Sequence, residues 1–285
     1  MATTGPGSLK ARKELGSRLR ALRGRRTAKA VAEQINVSPS TVTRAETGDR
    51  NCTEALFKKL MTAYDVRGQE RAELEELAEQ IWESEAPWWH AYGDSVSANY
   101  ATHLEYEADA VLRREYGTLL VPAHLQTAEY SRAVTSVGFA ALGPDQVDDL
   151  VRVRAHRQRR LYDDPLLSLE VVLSEAALAV EVGGPEVHRA QLRHMLEITQ
   201  LPNVDVRVIA YTAGENGTQP SPFNLLSYAG DEEPDVAFAA SVAGSLLLDT
   251  PKHLVRLNRL FRNLREQALS PEASRELITA LSEKD

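Results

Sequence analysis

The chain has 285 residues, of which 43% are apolar, so it is long enough for two folded domains. It has no continuous apolar run of the roughly 18 residues that a transmembrane helix needs, and its polar, basic start lacks the apolar core of a signal peptide. We therefore expect a cytoplasmic protein that does not contact membranes. The single cysteine, Cys52, excludes an internal disulfide framework and a cysteine metal cluster.

Charge is distributed unevenly along the chain, whose net charge is −8. Residues 1–60 contain thirteen Lys and Arg against five Asp and Glu, a net charge of +8, whereas residues 61–285 carry −16. A basic first part joined to an acidic remainder is typical of a polyanion-binding module attached to a domain that does not bind polyanions.

Residues 1–7 are mostly small residues typical of a flexible segment, and we expect them to be disordered. From there to residue 83, apolar residues recur with helical spacing, which predicts a domain over residues 8–83 that is a bundle of five helices. The predicted helices are Leu9–Arg23, Thr27–Ile35, Ser38–Gly48, Thr53–Tyr64 and Gly68–Trp82.

The second and third of these helices have the spacing of a helix-turn-helix motif. Thr27 and Ser38 are suitable N-caps, because a hydroxyl can accept a hydrogen bond from a free amide of the first turn. Pro39 stands at the first helical position, where its missing N–H costs nothing, and Gly48 can close the helix in a left-handed conformation. The short link Asn36-Val37 joins the two helices. This stretch predicts a DNA-binding module.

One face of the third predicted helix is small and hydroxylated and carries a single Arg. At about 100° per residue, Val42 and Ala45 can face inward while this polar face points outward. Such a face can enter a major groove and offer hydrogen bonds to base edges and phosphates. For the basic residues that flank the motif we expect phosphate contacts, with a merely solvated surface as the alternative. The predicted DNA contacts are Arg25, Arg26, Lys29, Ser38, Ser40, Thr41, Thr43, Arg44, Arg50 and Asn51.

Three aromatic residues, Trp88, Trp89 and Tyr92, follow the predicted bundle within five positions. They begin a second domain that we place at residues 84–285. Two interpretations stay open for them: a hydrophobic seam between the two domains, or a platform on which a ligand stacks.

Helical and strand patterns are mixed in the second domain, which predicts an α+β fold with an antiparallel sheet and makes the whole chain mainly α with α+β. The Arg-rich helix of this domain is expected to be a solvated one with salt bridges. The predicted helices are His103–Arg114, Ala123–Val134, Asp145–Tyr162, Ser174–Val182, Pro185–Thr199, Lys252–Leu269 and Pro271–Leu281, and the predicted strands are Leu167–Leu173, Asn203–Ala210, Phe223–Tyr228, Val236–Ala240 and Ser245–Leu248.

No sequence motif for catalysis is recognisable. The chain lacks the HExxH, P-loop, GxSxG and dinucleotide-binding patterns, and its seven His are scattered, which favours structural or surface roles. We therefore expect no catalytic residues, no metal and no cofactor, and a protein that is not an enzyme.

Five stretches resemble a known family: actinobacterial Xre-type helix-turn-helix transcriptional regulators with a C-terminal domain of unknown function found in antitoxin-like regulators. The resemblance covers nearly the whole chain, and the Val-Pro…Leu-Gln-Thr…Tyr pattern is highly specific. The stretches are Val37–Gly48, Trp88-Trp89-His90-Ala91-Tyr92, Leu120–Ala133, Arg157-Gln158-Arg159-Arg160-Leu161 and Ser174-Glu175-Ala176-Ala177-Leu178.

The resemblance implies a homodimeric regulator of transcription that binds double-stranded DNA and whose gene often lies beside one for a small acidic protein. It implies that Ser40 and Arg44 read bases, that Ser38 and Thr41 lie at phosphates, and that Glu46 pairs with an Arg of the first helix. The candidate contacts for a protein partner or effector are Trp88, Trp89, Tyr92, His124, Gln126 and Tyr130.

Three functions remain open at this point. The favoured one is a sequence-specific regulator whose C-terminal domain dimerises and binds a protein partner or small effector. The alternative is an antitoxin-like protein that sequesters a small acidic partner and regulates its own expression. The third is a nucleotide-sensing or enzymatic C-terminal domain.

Overall fold

The computed structural model describes residues 9–48, 52–138, 142–217, 221–228, 234, 236–241 and 244–284. The chain divides into two compact units between His90 and Ala91, whereas the sequence analysis placed the boundary after residue 83. The tail predicted over residues 1–7 lies outside the described residues.

The described part of the first unit contains five helices, which confirms the predicted bundle. Three of them are capped by a hydroxyl: Thr27 accepts from the amide of Ala30, and Ser38 and Thr53 make the equivalent bonds at their helices. The start of such a helix can be predicted from sequence, because the capping hydroxyl accepts a hydrogen bond from an amide only three residues later. The helices are α1 Leu9–Arg23, α2 Ala28–Ile35, α3 Pro39–Thr47, α4 Glu54–Ala63 and α5 Gly68–Trp82.

Close contact between α1 and α3 fixes the position of α3 in the bundle. A Cβ atom on Gly16 of α1 would lie 2.7 Å from the carbonyl oxygen of Glu46, so only glycine fits there. Gly48 ends α3 with φ +72°, the left-handed region that glycine enters without penalty. The core beneath is mostly aliphatic, and it includes Phe57 and Trp82, which lie edge to face with 5.5 Å between ring centroids.

The second unit is an α+β structure, as predicted, and helices and strands are interspersed along its described part. The α-helices are α6 Ala98–Ala108, α7 Ala128–Ser136, α8 Pro144–Gln158, α9 Ala176–Ala179, α10 Pro185–Ile198, α11 Pro251–Gln267 and α12 Pro271–Ser282. The strands are β1 Leu112–Gly117, β2 Ser168–Ser174, β3 Val204–Ile209, β4 Phe223–Ser227, β5 Val236–Ser241 and β6 Gly244–Leu248. The 3-10 helices are Ala123–Leu125, Arg159–Leu161, Tyr211–Gly217 and Trp88–Ser95, the last of which begins in the first unit.

The described strands form one mixed sheet in the order β3-β2-β1-β4-β5-β6. β1, β2 and β3 are parallel, and only β4, β5 and β6 join by antiparallel pairing. The predicted antiparallel sheet is confirmed for the pairing of β4, β5 and β6, and the parallel pairing of β1, β2 and β3 is the part that the prediction did not include. The physical reason is that helices connect β1 to β2 and β2 to β3, and such crossovers bring the chain back in the same direction.

Three predicted helices have different bounds in the structure. The one predicted over His103–Arg114 ends at Ala108, and the chain then forms β1, the third strand of the sheet. The one predicted over Ala123–Val134 is a 3-10 turn followed by α7, which begins after the N-cap Thr127. The one predicted over Ser174–Val182 is the single turn α9.

Both faces of the sheet are covered by helices. One apolar cluster joins β2 and β3 to α10 and α12, with Val171, Val208 and Met195 among its buried members. The other joins the opposite face to α11 through Tyr116 and Phe261. No helix in the described part of the chain has the length and apolar character needed to cross a membrane.

Candidate nucleic-acid interface

The third helix, α3, has one buried and one exposed face. Val42 and Ala45 are buried in the bundle core, and Glu46 is buried beside them. Thr43 and Arg44 are exposed, as is Ser40 in the first turn. The division into faces therefore agrees with the one predicted from sequence.

Three hydroxyls meet at the start of α3. Ser38 Oγ accepts from the amide of Thr41 at 3.2 Å and lies 2.8 Å from both Ser40 Oγ and Thr41 Oγ1. The unsatisfied amides and the dipole of a helix N-terminus favour a negative group. A DNA phosphate at this end of α3 would meet donors already in place, while Thr43 Oγ1 donates back to the carbonyl of Pro39 at 3.1 Å.

The Arg44 side chain is exposed and makes no hydrogen bond or ion pair with any residue that the structure describes, although the Arg44 carbonyl accepts from Thr47 Oγ1 at 3.3 Å. It borders a cleft of about 340 Å³ between α3 and the start of α4, which Thr41, Thr53 and Lys59 also line. An unpaired guanidinium on a rigidly held helix can present its donors in the planar arrangement that a guanine edge accepts. Two further predicted contacts, Arg50 and Asn51, lie outside the described residues.

A buried ion pair behind α3 holds the helix against α1. Arg23 Nε donates to both oxygens of Glu46 at 2.8 and 3.0 Å, and the Tyr64 hydroxyl donates to Glu46 Oε1 at 3.0 Å. The Glu46 side chain is 3% exposed. Burial, together with the adjacent Glu46 charge, raises the pKa of Tyr64. The pairing of Glu46 with an Arg of the first helix, which the resemblance implied, is present.

The basic residues that flank the motif differ in their surroundings. Arg25 and Lys29 are exposed and have no partner among the described residues. Arg26 instead donates to the carbonyls of Ala63 at 2.6 Å and Leu22 at 3.4 Å and lies 4.9 Å from the centre of the Tyr64 ring. Arg26 therefore ties α1 to the end of α4, and a phosphate contact by this residue stays a prediction.

Two of the candidate aromatic contacts belong to the first unit and the third belongs to the second. Trp88 and Trp89 lie edge to face in the first unit, with 5.4 Å between ring centroids, and Trp89 is buried. Tyr92 is half-buried and belongs to the second unit. Their predicted roles, as a seam between domains or as a ligand platform, stay predictions.

Gln126 and Tyr130, two of the candidate partner contacts, are buried and take part in a hydrogen-bonded turn, and a role of theirs towards a partner stays a prediction. The amide of Val121 donates to the Tyr130 hydroxyl at 3.1 Å, and Gln126 Nε2 donates to the Val121 carbonyl at 2.7 Å. Ser131 Oγ donates to Gln126 Oε1 at 2.8 Å. Gln126 and Tyr130 therefore hold a turn together and expose almost no side-chain surface, whereas Ala128, Glu129 and Arg132 of the same stretch are exposed.

His124 is also buried, and it borders a charged cluster that the sequence analysis missed. Arg157 donates to both oxygens of Glu107 at 2.6 and 2.7 Å, and Arg113 Nη1 donates to Glu107 Oε2 at 2.7 Å. Arg113 Nε also donates to Glu115 at 2.7 Å. Within the described residues, two arginines and two carboxylates thus balance each other between β1, α6 and α8.

The protonation states in this cluster follow from burial and charge. Burial alone would raise the pKa of Glu107, but the charges of Arg157 and Arg113 hold it well below its usual range. Burial lowers the pKa of His103 to about 4 and also lowers that of His124. Both ring nitrogens of His124, and Nδ1 of His103, are buried without a hydrogen-bond partner among the described residues. The two histidines are therefore neutral at pH 7.

For two arginines of the predicted solvated helix, Arg157 and Arg160, the prediction of a solvated side chain is wrong. Arg157 is buried, and Arg160 donates to the carbonyls of Glu107 at 3.2 Å, Ala108 at 2.6 Å and Ala110 at 2.7 Å, where it satisfies the end of α6. Only the pairing partners, about fifty residues away in sequence, distinguish these residues from ordinary surface cations. A sequence pattern could have shown the excess of Arg but not its burial.

Two protein families match this chain. Residues 14–74 match a helix-turn-helix domain, the DNA-binding module of regulators, and they include all of α2 and α3. Residues 100–280 match a domain of unknown function, DUF5753, and cover most of the second unit. No curated protein and no solved structure matches the chain. The protein is thus a DNA-binding helix-turn-helix regulator in its first unit, and the chain belongs to the DUF5753 family.

Proposed function

We propose that the protein is a sequence-specific transcriptional regulator of Xre type, which reads duplex DNA with α3 and receives a signal through its second unit. The observation that carries the proposal is the exposed polar face of α3. Its guanidinium, Arg44, is unpaired among the described residues, while Glu46, Arg23 and Tyr64 hold the helix from behind.

Each contact has a distinct role in this proposal. Arg44 and Ser40 reach base edges in the major groove, where a bidentate Arg–guanine pair discriminates by about 1–3 kcal/mol. Ser38 and Thr41 bind a phosphate at the start of α3, and Arg25 and Lys29 bind phosphates on the flank. The flanking cations supply affinity, and the α3 side chains supply sequence preference.

The second unit acts by binding and without chemistry in this proposal. It holds the homodimer and binds a protein partner, and a change in its occupancy shifts the affinity of the first unit for DNA by linkage. A small acidic protein encoded nearby is the partner that the family resemblance suggests, and an antitoxin-like role would be one form of the same function. The charges on α11, described below, favour a protein of this kind.

The proposal is tested by selecting bound sequences from a random duplex library with the full chain. We expect an enriched motif for the native protein and loss of that enrichment for Arg44→Ala. If the native chain enriches no motif, although it binds duplex DNA, the sequence-specific function is wrong.

A further inference from the structure

Helix α11 has an apolar inner face and a basic outer face. Leu254, Phe261 and Leu264 are buried against the sheet. On the opposite side, within about 120° of the helix circumference, four cations are all exposed. They are Lys252, Arg256, Arg259 and Arg262. Val255 lies among them with 65% of its surface exposed.

The outer cations of α11 have no ion-pair partner among the described residues, whereas several cations on other helices of the second unit are paired. Arg132 pairs with Asp148, Arg152 with Asp149 and Arg275 with Glu272. Arg265, at the inner edge of α11, also pairs, with Asp205 at 2.8 Å. Neutralisation within the unit is therefore common on its other helices.

The rest of the second unit has the opposite charge. Residues 91–285 contain eighteen Lys and Arg against twenty-eight Asp and Glu, whereas α11 contains five Lys and Arg against one Glu. A basic helix in an acidic unit creates a local field of opposite sign, which attracts an acidic group to that surface.

We propose that the outer face of α11 is the docking surface for an acidic polypeptide segment, with Val255 as its apolar contact. This inference rests on the proposed function, in which the second unit binds a protein partner. The exposed Val255 favours a polypeptide over nucleic acid, because phosphates offer nothing apolar to pack against it. Arginines that surround a central apolar residue are typical of protein–protein interfaces.

The length of the basic surface defines the partner segment. Lys252 and Arg262 are ten residues apart, which corresponds to about 15 Å along a helix. An acidic amphipathic helix of about three turns can place carboxylates beside each cation and an apolar residue against Val255.

The probe is a synthetic 14-residue amphipathic peptide of Glu, Leu and Ala with one photoreactive Leu analogue and a fluorophore. It is titrated against the full chain, and its cross-links are mapped by mass spectrometry, because the basic first unit can also attract it. The test variant is Arg256→Gln/Arg259→Gln/Arg262→Gln. The matched control, Arg152→Gln/Arg159→Gln/Arg193→Gln, removes the same charge from exposed positions on other helices.

We expect cross-links on α11, about tenfold weaker binding for the α11 variant, and native affinity for the control. Val255→Ser should weaken the binding that remains at high salt, where ionic attraction is screened. Cross-links confined to the first unit, or equal losses in the two triple variants, would overturn the proposal.

Measurements of binding to duplex DNA distinguish a failure of the α11 docking surface from a failure of the proposed DNA-reading function. The α11 variant should keep the native DNA affinity and salt dependence, and a smaller salt slope would show that α11 contacts phosphates and not a polypeptide. If Arg44→Ala binds DNA with unchanged sequence preference while the peptide still cross-links to α11, the DNA-reading proposal fails and the docking surface stands.

Discussion

Arg44 and Arg25 are both exposed cations of the first unit, but they lie on different parts of the motif. Arg44 projects from the polar face of α3, and Arg25 lies in the link between α1 and α2. A base contact and a phosphate contact affect DNA affinity differently, because the energy of a phosphate contact does not depend on the DNA sequence, whereas that of a base contact does.

We predict that Arg44→Ala removes discrimination of about 1–3 kcal/mol between the selected site and a random duplex. Arg25→Ala should weaken both duplexes equally and reduce the slope of log affinity against log salt by about 0.9. Fluorescence anisotropy at several salt concentrations measures both effects. Equal losses on both duplexes for Arg44→Ala would show that α3 docks differently.

Arg26→Ala is a poorer test of a phosphate contact than Arg25→Ala, because it also removes the hydrogen bonds from Arg26 to the carbonyls of Ala63 and Leu22.

Glu46 affects DNA binding only through the position of α3. Glu46→Gln leaves Arg23 half-buried without its counter-charge, so we predict a loss of about 1–3 kcal/mol in the unfolding free energy of the first unit. Exposed Glu33→Gln is the matched control and should cost under about 0.5 kcal/mol. Denaturant unfolding followed by Trp fluorescence reports this unit, because all three Trp lie before residue 90. Equal stabilities of the two variants would contradict the supporting role of Glu46.

At the scale of elements, β1 is unusual because it packs against α6 and α8 through charges. Arg113 and Glu115 point from β1 to the side where Glu107 and Arg157 lie, and apolar residues fill the same face on β2. Buried charges of this kind are costly to leave unpaired. The stability of this contact therefore depends on every member keeping its protonation state.

The cluster makes the second unit sensitive to acid. The unfolded chain protonates its histidines near pH 6.5, whereas folded His103 stays neutral down to about pH 4. Between these values the unfolded state binds more protons, so the unfolding free energy decreases as pH falls, by up to about 1.4 kcal/mol per pH unit for each such histidine. The lowered pKa of Glu107 acts in the same direction below its unfolded value of 4.5.

We predict that His124→Leu reduces this pH dependence and stabilises the second unit near pH 5. The substitution removes a titrating group and two buried ring nitrogens that have no hydrogen-bond partner among the described residues. Denaturant unfolding followed by circular dichroism from pH 7 to 4.5 measures the slope. Exposed His253→Leu is the control and should keep the native slope. A native slope in His124→Leu would mean that His124 is not part of the acid response.

At the scale of the whole molecule, the two units differ in charge, which supports the different tasks proposed for them. The first unit has the exposed α3 and the flanking cations, while residues 91–285 have a net charge of −10. One helix-turn-helix domain reads few base pairs, and dimers of such domains bind half-sites about 34 Å apart, one turn of DNA. We therefore infer that the functional unit is a dimer held by the acidic unit.

The dimer is tested with the site obtained by selection. Inserting about 5 base pairs between its half-sites should weaken binding by about tenfold or more, and inserting about 10 should restore part of it, because the half-sites then face the same side again. Sedimentation of the full chain should show a dimer. A monomer in sedimentation, together with binding that ignores the insertion, would contradict this organisation.

The sequence by itself determined the first unit and the location of α3. Its caps and apolar spacing act within a few residues, so Ser38, Gly48 and the inward Val42 could be identified without a structure. Most elements of the second unit could be predicted for the same reason, including α10 and α12. Their apolar stripes and the alternation in β3 are local patterns.

Only the tertiary structure decided the role of the charged residues in the second unit. β1 was missed because Arg113 and Glu115 occupy a buried face, and they are tolerated there only because Glu107 and Arg157 complete the cluster. Arg157 is buried and paired while Arg256, in a similar helical context, is exposed and unpaired among the described residues. The sequence alone cannot separate these two arginines, because burial of a charge depends on partners that folding brings from about fifty residues away.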